Sequence, residues 1–261
     1  MSEVVEVSGK RILLVGATGV LGREYALILA KKGANLVIAD RKETDILSFA
    51  EELNVLGCIV DVSIEESVIE CVNFCLERLE GLDGVINNAA ATGEGLMEAG
   101  EAFANFEEYP LEVWQKTINV NLTGAFLLAR EAGRLMKSTG VNPSFINIAS
   151  IYGVVGPDHR IYEDQPFKSF PGYSASKSGV IGLTKWLATW WGRSIRVNCV
   201  SPGGVFNNHN EQFVEAYSNR TPMRRMAKRD ELNGIILYLL SDSSSYVTGQ
   251  NFIIDGGLTS W

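Results

Sequence analysis

The chain has 261 residues, 46% of them hydrophobic and 21% charged, with 31 acidic against 23 basic side chains and a formal net charge of −8. That balance predicts a soluble globular fold with a sizeable core and argues against a nucleic-acid binder, which needs clustered Lys and Arg. No stretch reaches the roughly 20 consecutive apolar residues of a membrane-spanning helix, and Met1 to Lys10 lacks the apolar run of a signal peptide. Cys58, Cys71, Cys75 and Cys199 form no CxxC pair and have no nearby His, so a reduced, cytoplasmic protein without metal is expected. Cys71 and Cys75 lie one helical turn apart and read as small apolar fillers on the buried face of a helix.

In chain order, Arg11 to Val15 is a short continuous apolar run, the pattern of a strand buried on both faces of a parallel sheet. Glycines follow at 16, 19 and 22, and a helical pattern then runs from about Val20 to Lys32. Strand, glycine turn and helix form the context in which backbone N–H groups cradle a pyrophosphate. The next strand, Asn35 to Ala39, ends at Asp40, the place where an acid accepts hydrogen bonds from an adenosine ribose and repels a 2′-phosphate. This predicts NAD over NADP, a preference that the adjacent Arg41 weakens.

A helix over 44–53 leads to a strand over 57–60 that also ends in an acid, Asp61, and an amphipathic helix is expected from Ile64 to Leu79. Leu82 to Ile86 reads as the fourth strand and closes on Asn87-Asn88-Ala89-Ala90, polar residues suited to the mouth of an open sheet. Residues 92–110 read as a surface loop. A long helix is expected over 111–137, with Asn119 and Asn121 inside it. Asn is a poor interior helix former, so these two have either a solvated face or a polar task. The fifth strand, 143–149, ends at Ser150, and an irregular stretch over 154–172 precedes a helix from Tyr173 to Trp191. A sixth strand (195–200), a short helix (211–217), a helix from Asp230 to Leu240 and a seventh strand (251–254) complete the chain. Strands and helices alternate without linker or repeat, which predicts one doubly wound α/β domain over 1–261, a seven-stranded parallel sheet with helices on both faces.

The stretch Tyr173-Ser174-Ala175-Ser176-Lys177 holds the candidate chemistry. Positions i and i+4 share a helix face, so the phenol and the ammonium are neighbours. A free phenol has a pKa of about 10, and a nearby cation favours the phenolate, which makes a general acid/base.

Together, the Gly16–Gly22 turn, Asp40, Asp61, Asn87-Asn88-Ala89-Ala90, Asn121 in "NVNLTGAF", Ser150, "YSASK", "NCVSPGG" and "VTGQNFIIDGG" resemble the single-domain short-chain dehydrogenase/reductases over nearly the whole chain. The resemblance implies a Rossmann domain that moves a hydride between a nicotinamide cofactor and a secondary alcohol or ketone. It assigns the substrate-oxygen hydrogen bond to Ser150, acid/base work to Tyr173, and depression of the phenol pKa and a ribose contact to Lys177. Asn121 would support a water relay. Gly16, Thr18, Gly19, Val20, Leu21, Gly22, Asp40 and Arg41 would hold one end of the cofactor. Asp61 would meet the adenine, Val62, Asn88, Ala89 and Ala90 would line the cofactor, and Pro202, Gly203 and Val205 would flank the nicotinamide. A homodimer or homotetramer paired through the two long helices is also implied. Trp186, Trp190 and Trp191 near the end of the second read either as part of that pairing surface or as internal core.

Three features depart from the family pattern. Val15 and Val20 stand where Thr and Gly are usual, giving a GxxGxxG turn closer to the family's sugar-nucleotide branch. Ala90 replaces a Gly. Ser150 and Tyr173 are 23 residues apart, an insertion expected to build a substrate wall rather than displace Ser150. The loops over 91–110, 154–172 and 205–226 are expected to shape the substrate site. Their His159, Arg160, Tyr162, Lys168, Asn207, Asn208, His209 and Arg220 predict a polar rim and a sugar-like or anionic substrate. These loops are also similar to those of bacterial members linked to flagellin-glycan or surface-sugar genes. An epimerase or dehydratase that recycles NAD, and a non-catalytic nucleotide sensor, are the alternatives.

Overall fold

The computed structural model describes residues 5–92, 105–139, 141–163, 165 and 168–261. Seven strands, β1 (Arg11–Val15), β2 (Asn35–Asp40), β3 (Leu56–Ile59), β4 (Gly84–Asn87), β5 (Ser144–Ile148), β6 (Arg196–Pro202) and β7 (Asn251–Ile254), form one sheet in the order β3-β2-β1-β4-β5-β6-β7. Every neighbouring pair is parallel. The crossovers include α1 (Val20–Lys31), α2 (Glu43–Leu53), α3 (Glu65–Leu79), α4 (Leu111–Ile118), α5 (Gly124–Thr139), α6 (Pro171–Trp191), α7 (Glu211–Ser218) and α8 (Asn233–Leu240).

The apolar runs of the strands divide their side chains between two cores. Ile12 and Leu14 of β1 pack with Tyr25 and Leu29 of α1, Phe49 of α2 and Leu239 of α8. Leu13 and Val15 face the other way, toward Val68 and Cys71 of α3, Leu128 of α5 and Trp191 of α6. Strands covered on both faces need no polar alternation, which explains their continuous hydrophobicity. Cys71 and Cys75 are buried fillers on α3, as expected. At roughly 25 cal/mol per Å² of apolar area removed from water, these two layers are the main driving force of the fold.

Two helical expectations are corrected. The segment expected as one helix over 111–137 is broken by a π-turn, Asn119–Thr123, between α4 and α5. Asn121 lies within it, its buried amide bonded outside its own helix (below), and a π-turn often marks such a functional position. The helix expected from Asp230 begins as a 3-10 turn over Arg229–Leu232, and α8 proper starts at Asn233. Glu231, not Asp230, makes the capping contact, accepting the Lys228 backbone N–H at 2.7 Å. Pro171 opens α6 two residues before Tyr173, because proline suits the first helical turn.

Of the three tryptophans on α6, only Trp191 is buried, its ring centroid 6.1 Å from that of Phe145. Trp186 and Trp190 stack on each other at 5.3 Å and remain 56% and 68% exposed. Most of the expected loop over 91–110 lies outside the described residues. Among those described, no helix is long and apolar enough to cross a membrane, and no group of three or more His, Cys, Asp or Glu side chains could hold a metal ion.

Candidate active site

β1 and β4 are neighbours although β2 and β3 come between them in sequence, so the chain reverses direction across the sheet there. Ligands in open α/β sheets bind at this switch point, outside the carboxyl ends of the strands. A cleft of about 770 Å³ lies there, and the glycine turn, the ends of β2 to β6 and the loops after β5 and β6 line it.

The three glycines of the turn have different tasks. Gly16 has φ of +79°, and a Cβ there would lie 2.6 Å from the Ala89 backbone nitrogen. A Cβ on Gly22 would lie 2.1 Å from the Gly16 carbonyl oxygen, so this glycine lets α1 close on the turn. At Gly19 the closest atom is 3.5 Å away, and the residue faces the cleft. The protein's own packing therefore requires Gly16 and Gly22, whereas Gly19 leaves backbone open to a ligand. No side chain caps the start of α1. Its N–H groups and positive dipole end are thus a donor set that fits a pyrophosphate.

Thr18, Val20 and Leu21 line the cleft beside that turn. Thr18 donates its backbone N–H and its hydroxyl to Asp40 Oδ2, at 3.0 and 2.7 Å. The second carboxylate oxygen of Asp40 accepts the Arg41 N–H at 2.7 Å. Asp61 Oδ1 accepts the Ser63 N–H and hydroxyl, at 2.9 and 2.6 Å, and Val62 lines the cleft next to it. Asn88 Nδ2 donates to the Gly16 carbonyl at 2.8 Å, tying the end of β4 to the turn. Ala89, Ala90, Pro202, Gly203 and Val205 complete the expected cofactor set, and all line the cleft.

The catalytic candidates come from three elements. Ser150 stands just past β5, where its hydroxyl accepts the Tyr152 N–H at 3.1 Å and lies near enough to the Tyr173 phenol to favour its charged form. The insertion has not displaced it. Lys177 is 2% exposed and donates to the Ile148 carbonyl at 2.7 Å, with its nitrogen 5.7 Å from the centroid of the Tyr173 ring. Asn121 accepts the Ala91 N–H at 2.7 Å and donates to the Ser176 hydroxyl at 3.0 Å; that hydroxyl in turn donates to the Tyr173 carbonyl at 2.9 Å. Asn121 thus positions the helix that carries Tyr173. Ser176, given no role in the sequence reading, was legible as the residue three after Tyr173, on the same side of α6.

The electrostatics correct one expectation. In the ligand-free chain, burial pushes the Tyr173 phenol above its ordinary value, and the Ser150 hydrogen bond only partly offsets this. Burial also draws the Lys177 ammonium down to about 8, opposed weakly by Cys199. Lys177 is therefore still largely protonated at neutral pH, but Tyr173 is a neutral phenol rather than the phenolate expected from its lysine neighbour.

The rim also differs from its sequence picture. Lys168, Asn207 and His209 line the cleft, as does Tyr162. Arg160 and Arg220 both pair with Asp158 and hold its carboxyl at about 2, with Arg160 the larger cause. His159 and Asn208 are exposed and do not line it. Aromatic residues that the sequence reading did not single out form much of the wall: Tyr152, Phe170, Phe213 and Tyr217.

The glycine geometry predicts a split result. Gly22→Ala should lower the melting temperature and soluble yield, because overpacking against backbone costs about 1–3 kcal/mol or more. Gly19→Ala should keep the melting temperature within a few degrees but weaken NADH binding at least roughly tenfold, about 1.4 kcal/mol. Thermal unfolding and fluorescence titration check both, and equal effects of the two variants on stability would contradict the division.

Comparison with known proteins identifies the family. A family model described as enoyl-(acyl carrier protein) reductase matches residues 16–259. The chain is 36% identical to trans-4-hydroxycyclohexanecarboxylate dehydrogenase of Sinomonas cyclohexanicum, over 99% of this chain and 96% of that one. A short-chain dehydrogenase from Leptospira borgpetersenii, solved with bound NAD+, superposes with a TM-score of 0.86 at 32% identity, covering 98% of this chain and 95% of that one. Gluconate 5-dehydrogenase from Burkholderia cenocepacia, solved with NADP and tartrate, also superposes with a TM-score of 0.86, at 27% identity and 98% coverage of both chains. With a family model matched over most of its length and a relative 36% identical over 99% of it, the chain belongs to the short-chain dehydrogenase/reductase family of oxidoreductases.

Proposed function

We propose that the protein interconverts a secondary alcohol and its ketone with NAD(H), using Ser150, Tyr173 and Lys177. The observation that carries this reading is the meeting of a phenol, a serine hydroxyl and a buried lysine in the cleft that the glycine turn also lines. The bound nicotinamide supplies a hydride acceptor or donor and, when oxidised, a positive charge. Tyr173 takes the substrate hydroxyl proton in oxidation and returns it in reduction. Ser150 holds the substrate oxygen and, by donating to the phenolate, favours the charged form of Tyr173. Lys177 contributes positive charge below Tyr173, while Asn121 and Ser176 fix the pitch of α6.

The preference for NAD rests on Asp40, whose carboxylate at the ribose end of the cleft repels a 2′-phosphate. Arg41 and Lys42 also line that end and moderate the preference. The loops over 154–172 and 205–226 serve as substrate walls. Two of the relatives named above, trans-4-hydroxycyclohexanecarboxylate dehydrogenase and gluconate 5-dehydrogenase, are named for molecules combining a secondary alcohol with a carboxylate, which supports an anionic alcohol, carbocyclic or sugar-like, as substrate. We also propose that α5 and α6 pair between subunits, a reading supported by the exposed Trp186–Trp190 stack.

Tyr173→Phe should lower kcat by roughly a hundredfold to ten-thousandfold while leaving NADH binding measurable; retention of most of the rate contradicts the assignment. Spectroscopic titration of the parent against this variant should show no Tyr173 phenolate below pH 10 without ligand, because burial raises that pKa from 10.0. Saturating NAD+ should bring the phenolate in at lower pH. Net NADH accumulation during turnover separates this reaction from the NAD-recycling epimerase or dehydratase that the GxxGxxG turn suggests.

For the cofactor, kcat/KM with NAD should exceed that with NADP at least roughly tenfold, about 1.4 kcal/mol, and Asp40→Asn should narrow the ratio; equal efficiency in the parent contradicts the role of Asp40. Sedimentation should give a dimer or tetramer for the parent and a smaller species for a Trp186→Glu/Trp190→Glu double variant, whereas a monomeric parent removes the pairing.

A further inference from the structure

The cleft wall contributed by the two substrate loops has an unusual hydrogen-bond state. The Tyr152 and Tyr162 hydroxyls are bonded to each other at 2.6 Å. The Tyr217 hydroxyl accepts the Gly204 N–H. The Tyr162 ring lies 5.5 Å from that of Phe213, which also stacks on His209 at 5.0 Å. Phe170 packs on Tyr173 at 5.6 Å from the other side. These contacts tie the phenol oxygens into the wall and leave few free O–H groups, so what they mainly offer a substrate is ring surface. A polyol placed against such a surface would leave hydroxyls unpaired, which is costly, whereas a carbocycle would not.

Charge along the cleft is also sorted. Its lining carboxylates, Asp40, Asp45 and Asp61, all belong to the segments that follow β2 and β3, at the ribose end. Among the described residues the substrate loops contribute no lining carboxylate, and they place the exposed Lys168 on the lip two residues before Phe170. Of the arginines in the same loops, Arg160 and Arg220 are held by Asp158 and Arg225 by Glu231.

Resting on the dehydrogenase reading above, we propose that the substrate is a carbocyclic secondary alcohol or ketone with one carboxylate. Its ring lies against the aromatic wall, the reacting carbon faces Tyr173 and Ser150, and the carboxylate reaches Lys168. This selects the carbocyclic over the sugar-like member of the anionic class. Tyr162 sets the ring-shaped slot, and Lys168 sets the preference for an acid.

Cyclohexanecarboxylate, which has no hydroxyl to oxidise, tests the slot independently of turnover. Calorimetric titration into the protein saturated with NADH should show cyclohexanecarboxylate binding at least tenfold more tightly than either cyclohexanol or gluconate. Lys168→Met should reduce the advantage over cyclohexanol by about tenfold, and Tyr162→Phe, which keeps the ring, should preserve it. Tighter binding of gluconate, no binding of cyclohexanecarboxylate, or an unchanged ratio in Lys168→Met would overturn the proposal. Binding with the expected ratios but no oxidation of trans-4-hydroxycyclohexanecarboxylate would uphold the slot and overturn the dehydrogenase reading instead.

Discussion

The site depends on a lysine ammonium removed from water and held by one carbonyl, that of Ile148 at the end of β5, at 2.7 Å. A charge in that position is costly unless it is hydrogen-bonded and has an anionic partner in some state of the cycle. The ligand-free chain answers part of that cost by drawing the Lys177 pKa down. The rest is recovered only when negative charge arises nearby, and the Tyr173 oxygen is the group on which it can arise. The proposed mechanism places that charge on Tyr173, although burial by itself pushes the phenol toward its neutral form.

Holding that arrangement requires α6 to be fixed against the sheet, and the polar contacts beneath it do this. Asn87 donates to Asn147 across β4 and β5 at 3.0 Å, and Asn147 donates to Thr184 of α6 at the same distance. Asn121 joins the π-turn to Ala91 and to Ser176. Buried and mutually satisfied, such groups specify one register of helix on strand, because any slip leaves several of them unpaired. The aromatic wall has the same character on a smaller scale, with its hydroxyls turned on one another rather than toward a ligand.

The order of elements, the two-sided burial of the strands and the cleft at the reversal of strand order were legible in the sequence, because apolar runs, glycines and strand-end acids report local geometry directly. Ser150 and Tyr173 were also legible, as residues at a strand end and a helix start. The direction of the Tyr173 shift was not: spacing shows that a lysine is near but not how deeply both groups are buried. The π-turn at Asn119–Thr123 was hidden because the bond that engages its Asn121, to Ser176, spans 55 residues. The rim misled for a related reason. Arg160 and Arg220 read as open cations until the fold brought Asp158 between them, and Tyr162 read as a hydroxyl until Tyr152 was found bonded to it.

The most direct test of this account is the proton affinity of Lys177 itself. Heteronuclear NMR titration of nitrogen-labelled lysine in the ligand-free protein, assigned with Lys177→Met, should show one side chain titrating near 8. A Lys177 that titrates at its ordinary value of 10.5 would be a solvated surface ammonium, and the buried-charge basis for its action on Tyr173 would be contradicted.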